Sequence, residues 1–265
     1  MIKCQDKILN RINSFTMDTF PRTTLLLGDY GSGKHSIVKY IGEKFGCEIE
    51  DISHNLSLEY IETINQRVEP MIYLIDAKEL NVRNENVILK FLEEPLKNAF
   101  IVVLSENRYS IIPTVLNRCQ VWELATYGCD FLRTFIDDGS TNSSTLLKVA
   151  NTPGKVIEYQ LCPLDDMLSL AHKIFTNIGR ANFANALTLS RFLAFKNEKD
   201  KYEFNLFVDV LLLVCKELYL KKQVSVEAYI LTNRLNNNKY IFNIDKKSLF
   251  EHYLVELKIL LTGGN

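Results

Sequence analysis

Proline and glycine are scarce in this chain, 6 and 11 among 265 residues, so little interrupts a helix-rich fold with a sizeable core. Charge of one sign is missing too. Lys and Arg number 31 against 32 Asp and Glu, which excludes a global positive field of the kind that binds nucleic acid unaided. Any contact with DNA must then be local or shared with partners. Long apolar runs are absent: Val210 to Cys215 is far too short to span a bilayer and is bracketed by Asp209 and Lys216. Met1-Ile2-Lys3-Cys4 does not lead into the apolar run of a signal peptide, so a cytoplasmic protein without a membrane partner is expected. Cysteine pairs are lacking as well. The 6 cysteines are scattered without a C-x-x-C, which points to reduced thiols and argues against a disulfide frame or zinc.

The most telling absence is a single hydroxyl. Gly28-Asp29-Tyr30-Gly31-Ser32-Gly33-Lys34-His35 follows the apolar run Thr23–Leu27 and precedes a helical pattern. This is the strand–loop–helix setting of a G-x-x-x-x-G-K-[ST] phosphate loop. Gly28, Gly31 and Gly33 let backbone N–H groups approach phosphate oxygens, Lys34 can reach the outer phosphates, and the helix N-terminus favours an anion. The motif's last residue normally gives a hydroxyl to Mg²⁺, and His35 has none. Ser36 is no substitute, being turned about 100° round the helix. A second marker is Met71–Asp76, an apolar strand ending in a carboxylate that could hold Mg²⁺ beside the loop. In ATPases of this kind a glutamate commonly follows; here Ala77 does, and alanine accepts no proton. Two groups that separate hydrolysis from binding are therefore missing.

Two periodicities alternate over the first 125 residues. Strand-like runs fall at Thr23–Gly28, Met71–Asp76, Phe100–Ser105 and Gln120–Leu124, with a weaker one near Cys47–Ile52. Helical patterns lie between them at Asp6–Phe15, Gly33–Phe45, Leu58–Val68 and Asn84–Glu94. Apolar strands separated by helices predict a parallel sheet covered on both faces. After Ala125 the strands stop. Short helices are expected at Tyr127–Ile136, Ser143–Ala150 and Lys155–Gln160, then an all-helical remainder from Pro163. Its clearest element is Glu203–Leu220, with Phe204, Phe207, Val208, Leu211, Leu212, Cys215, Leu218 and Tyr219 on one face. Asn236–Asn238 reads as a loop and Gly263–Asn265 as a frayed tail. The expected division is 1–125, 126–162 and 163–265.

The run Asn86-Val87-Ile88-Leu89-Lys90-Phe91-Leu92-Glu93-Glu94-Pro95, the strand after it, and Pro113-Thr114-Val115-Leu116-Asn117-Arg118-Cys119-Gln120 stand in one order and spacing. Together with the phosphate loop they resemble the AAA+ clamp-loader family of DNA replication, in its bacterial delta-prime branch, over roughly residues 5–160. The resemblance implies an α/β P-loop NTPase core with a parallel sheet, a small helical lid and an all-α collar. It places Gly28, Gly31, Gly33 and Lys34 in the phosphate loop and Asp76 as the Walker B carboxylate. Asn107, or alternatively Ser105, falls at the sensor 1 position, and Lys155 opens the sensor 2 helix of the lid. Arg118 resembles an arginine finger that reaches into a neighbour's nucleotide site. ATP or ADP with Mg²⁺ is the implied cofactor; the partners are other clamp-loader subunits, with the sliding clamp and primed DNA met through the assembly.

The departures, His35 and Ala77, imply a subunit that does not hydrolyse ATP by itself. Two other readings compete. An active motor-type ATPase would need another group to orient water, with Asp51 and Glu79 as candidates; a stand-alone AAA+ adaptor would need no clamp. Arg118 could also be a surface arginine paired with Glu123 or another exposed acid. Glu93 and Glu94, adjacent on a helix, do not face each other and read as a helix end stopped by Pro95.

Overall fold

The apolar runs of the first half assemble into one five-stranded sheet. A computed structural model describes residues 2–64, 67–80, 85–93, 99–106, 108, 111–137, 143–194, 202–241 and 244–262. They divide into two compact units, Met1–Tyr127 and Gly128–Asn265. Apart from Thr126 and Tyr127, the spans expected as lid and collar fall within the second.

In the first unit α1 (Asp6–Ser14) precedes β1 (Thr23–Leu27), α2 (Lys34–Phe45), β2 (Glu48–Asp51), α3 (Leu58–Ile64) and β3 (Met71–Asp76). Then come α4 (Glu85–Glu93), β4 (Ala99–Ser105), α5 (Pro113–Leu116) and β5 (Gln120–Glu123). The sheet order is β2-β3-β4-β1-β5, and every pairing is parallel. Parallel strands need crossovers that return the chain to the starting edge, which is the work of the helices. Central β4 is buried at all seven positions, as the continuous apolar run Ala99–Ser105 requires, whereas edge strand β2 is mostly exposed. Register aligns Leu27 with Ser105 and Asp76 with Leu104, so the carboxyl ends of β1, β3 and β4 meet at one edge.

One side of the sheet is closed by α1 and α2. Ile8, Ile12, Ile37, Val38 and Ile41 pack against Leu26, Ile72, Val102 and Leu104. Each such side chain contributes about 1.5–3 kcal/mol by leaving water. An aromatic cluster completes this core: Phe20 meets Phe45, Phe100 and Trp122 edge-on at 5.1–5.5 Å.

The second unit holds α6 (Cys129–Arg133), α7 (Ser143–Val149), α8 (Pro153–Tyr159), α9 (Leu164–Asn177) and α10 (Phe183–Leu187). A two-residue pairing of β6 (Leu193–Ala194) with β7 (Tyr202–Glu203) leads into α11 (Phe204–Leu220), α12 (Val226–Asn238) and α13 (Lys246–Thr262). This pair is a strand element that the all-helical expectation did not contain. Glu203, expected as the first helical residue, instead caps α11 by accepting the Leu206 N–H at 2.6 Å. Val210 and Val214 are buried in place of Leu212 and Tyr219, because α11 packs against both α9 and α12.

Asn236–Asn238, read as a loop, are the last residues of α12. Polar residues stay helical there because Leu235 is in the core and Lys239 just beyond is pulled inside. The ammonium of Lys239 donates to Asp209 Oδ1 at 2.6 Å and to the Asn205 carbonyl at 3.0 Å. Among the described residues no helix is long and apolar enough to cross a membrane.

Candidate functional site

The carboxyl edge of the sheet carries a cavity of about 340 Å³, lined by Tyr30–His35, Asp76, Lys78, Ser105 and Glu106. In parallel α/β sheets ligands bind outside the carboxyl ends of the strands, where the strand order reverses. Here β1 lies between β4, reached by two returning crossovers, and β5, reached by stepping over β1.

The phosphate loop is shaped by its glycines. Gly31 and Gly33 have φ of 69° and 89°, a region that side chains disfavour, and Gly33 is the residue from which α2 starts. At Gly28 the need is for space: a Cβ there would stand 2.9 Å from Ser32 Oγ and 3.0 Å from Leu124 Cβ. The loop is braced from the far end of the unit. Tyr127 donates its hydroxyl to the Ser32 carbonyl at 2.6 Å, and the Gln5 amide brackets Ala125, accepting its N–H at 2.8 Å and donating to its carbonyl at 3.0 Å. Burial, partly opposed by a hydrogen bond to Gln5, raises the Tyr127 phenol above its usual pKa and keeps it a donor.

Lys34 folds back onto the loop, its ammonium donating to the carbonyls of Gly28 and, at 2.9 Å, Asp29. Burial lowers its pKa, against which the nearby Glu106 carboxylate acts. Ser32 Oγ is buried and hydrogen-bonds to nothing among the described residues. An orphaned hydroxyl, a lysine and two left-handed glycines at a helix start make a donor set that fits a phosphate.

The fit to Mg²⁺ is poorer. His35 lies on the first turn of α2 with no hydroxyl to offer, while Ser36 faces a separate hollow with Lys39 and Tyr40. Asp76 Oδ1 accepts the Lys78 N–H at 3.0 Å, and the Asp76 N–H donates to Ser53 Oγ at 2.9 Å. A hard cation would find only the carboxylates of Asp76 and Glu106 among the acidic lining residues, and Glu106 is tied to Lys78 at 2.5 Å. Burial acts most strongly against the Lys78 charge, but the hydrogen bond and charge of Glu106, together with the Asp76 carboxylate, raise its pKa on balance. Among the described residues no group of three or more His, Cys, Asp or Glu could hold a metal ion.

Glu106 was missed in the sequence, although its place just past a strand's carboxyl end is the signal to look for. Asp51 and Glu79, the candidates named for orienting water in the motor reading, do not line the cavity: Asp51 accepts from Ser53, and Glu79 lies 3.4 Å from His54. Ser105, the alternative sensor, does line it; Asn107 lies outside the described residues. Lys155, expected to open the sensor 2 helix, is buried in the second unit with its ammonium 3.9 Å from Asp209. Its N–H is also capped by Thr152 Oγ1, the device that starts α8. Its charge is therefore directed into the helical interior.

Arg118 stands at the opposite edge of the sheet. It is in the turn before β5, and its carbonyl accepts from Thr23 Oγ1, at the amino end of β1, at 2.8 Å. Five residues of β1, at about 3.3 Å each, put it roughly 16 Å along the sheet from the loop that follows Leu27. Of the acids weighed for a surface pairing of Arg118, Glu123 is taken by Arg108 at 2.8 Å, and another exposed acid fills that place. The acid that meets Arg118 is Glu93, at the end of α4.

Comparison with known proteins agrees with this architecture. Residues 48–127 match a family model described as DNA polymerase III, delta subunit. The stretch includes Asp76, Glu93, Glu106 and Arg118. DNA polymerase III subunit delta' of Haemophilus influenzae is 27% identical over 92 residues, covering 34% of this chain and 27% of that protein. The chain thus matches about a quarter of the length of this curated relative. A RuvB structure from Thermotoga maritima aligns with a TM-score of 0.50 at 16% identity, over 96% of this chain and 86% of the other, a likeness that shows the fold alone. A gamma subunit-related protein of DNA polymerase III, also from Thermotoga maritima, aligns over 98% of this chain and all of its own at 14% identity, with a TM-score of 0.44.

The first unit is a phosphate-loop α/β domain: a five-stranded parallel sheet with the Gly28–His35 loop at the carboxyl ends of its strands. Over residues 48–127 the chain is similar to the DNA polymerase III delta subunit family, and over 92 residues to a delta-prime subunit.

Proposed function

We propose that this chain is a delta-prime-like clamp-loader subunit that lends Arg118 to the nucleotide site of an adjacent motor subunit. The observation that carries the reading is the separation of Arg118 from the chain's own phosphate loop by the length of a strand. A guanidinium at the amino edge cannot serve a cradle at the carboxyl edge of the same sheet. It can serve the cradle of a neighbour. Its permanent charge and fork of donors suit the equatorial oxygens of a transferring phosphoryl group.

The chain's own cradle offers a phosphate-shaped loop without the Mg²⁺ hydroxyl at His35 or a carboxylate at Ala77. On this reading it holds ATP or ADP passively, and other subunits do the chemistry that opens a sliding clamp and releases it on primed DNA. Arg118→Ala, assembled with the motor subunits of its own replication complex, is expected to lower turnover at the affected site by about 10³-fold or more. The isolated chain should be unchanged. Wild-type turnover in the assembled mutant would refute the finger.

One observation favours a second reading. Glu106 lines the cavity beside Lys34 and Asp76, so a carboxylate is present where the motor reading needs one. Mg²⁺-dependent ATP turnover by the purified chain, abolished by Lys34→Ala, would favour that reading.

A further inference from the structure

Arg118 is not a loose surface arginine. Its Nε and Nη2 both donate to Glu93 Oε1, the Nε contact being 2.8 Å, and Nη1 donates to the Thr114 carbonyl at 2.9 Å. Among the described residues these bonds occupy three of the five guanidinium N–H groups and leave two for a further acceptor. The backbone is pinned as well, through the Arg118 carbonyl to Thr23 and the Arg118 N–H to the Val115 carbonyl at 3.1 Å. The side chain nevertheless keeps 34% of its surface exposed, and that of Glu93 keeps 52%.

The topology explains the meeting. Helix α4 carries the chain from the carboxyl end of β3 back to the amino end of β4, and α5 does the same between β4 and β5. Two consecutive crossovers therefore deliver Glu93 and Arg118 to one edge. Resting on the proposed function, we infer that Glu93 is a positioning residue for the finger: it grips the inner edge of the guanidinium and directs the remaining donors outward.

The physical case is one of orientation. An exposed arginine samples many rotamers, and an ion pair on a solvent-facing surface adds little stability. What a side-on contact fixes is the plane of the fork, and bidentate recognition of phosphate oxygens depends on that plane. Misplacing a catalytic group by about 1 Å can reduce the rate about 100-fold.

The test uses the chain assembled with the motor subunits of its replication complex, and the chain alone by NMR. Glu93→Ala is expected to reduce kcat for ATP about 10- to 100-fold with KM unchanged, and to add nothing in an Arg118→Ala background. Glu93→Gln, which keeps an oxygen acceptor without charge, should restore most of the loss. In the isolated chain the Arg118 Nε–H resonance should exchange slowly with water in the wild type and fast in Glu93→Ala. Full kcat in Glu93→Ala, when Arg118→Ala is impaired, would overturn the positioning role and leave the finger standing. Unchanged turnover in Arg118→Ala would overturn both. Equal Nε–H protection in wild type and Glu93→Ala would show that Glu93 does not hold the guanidinium.

Discussion

Replacing Asp209 by alanine should destabilise the helical unit more than most single changes in this chain. Asp209 sits on α11 with the Lys239 ammonium 2.6 Å from Oδ1 and the Lys155 ammonium 3.9 Å from Oδ2. The Lys239 side chain is fully buried and that of Lys155 nearly so, at 0% and 6% exposure. Removing the carboxylate leaves two like charges in the interior with one less acceptor. Breaking a buried pair from one side costs about 3–5 kcal/mol, because the surviving charge is stranded. At about 3 °C per kcal/mol for a unit of this size, the expected loss is roughly 10–15 °C in Tm. Urea titration followed by circular dichroism measures it, with Asp209→Asn as the variant that keeps shape and one acceptor. The sign of the pH dependence is fixed as well. Burial, opposed by Asp209, lowers the Lys239 pKa from 10.5, so between that lowered folded-state value and 10.5 the unfolded chain keeps the proton more readily and stability rises with pH. A loss below about 1 kcal/mol in Asp209→Ala would refute the claim that this ion pair organises the unit.

Two further outcomes are expected. Gly28→Ala places a methyl against Ser32 Oγ and Leu124 Cβ, and overpacking of this sort should cost about 1–3 kcal/mol in urea denaturation; an unchanged midpoint would show that the loop is not so tightly seated. Burial pushes the Cys119 thiol up to about 12 from 9.0, so its contribution to stability is complete below 9.0 and is lost as pH rises toward 12; iodoacetamide mapping at about pH 8 should label exposed Cys4 and Cys129 well before Cys119.

Much of the first unit was legible because its signals are local. A buried parallel strand needs a continuous apolar run, and a phosphate loop needs its glycines at fixed spacing, so β1, β3, β4 and the Gly28–His35 loop could be read directly. Arg118 could be singled out through its motif, but neither its edge of the sheet nor its partner could. Glu93 and Arg118 are 25 residues apart, and only the return of two crossovers to one edge brings them together. Glu106 was missed for a related reason: a carboxylate after a strand has meaning only when the neighbouring strand ends are known. In the second unit, Lys155 and the Asn236–Asn238 run were misread because their environment comes from Asp209 and Lys239. Pairings over such distances leave no periodicity in the chain.

The bracing of the phosphate loop has a mechanical consequence. Tyr127 is the final residue of the first unit, and the next residue, Gly128, begins the second. The same Tyr127 holds the carbonyl of Ser32 at 2.6 Å, while Gln5 fastens the chain two residues earlier. A pull on the backbone at Tyr127 therefore acts first on the Ser32 carbonyl and then, two residues earlier, on the Gln5 clamp at Ala125. Any displacement of Tyr127 must carry Ser32 with it or let go of it. The point where the chain passes from one unit to the next is also the latch on the loop.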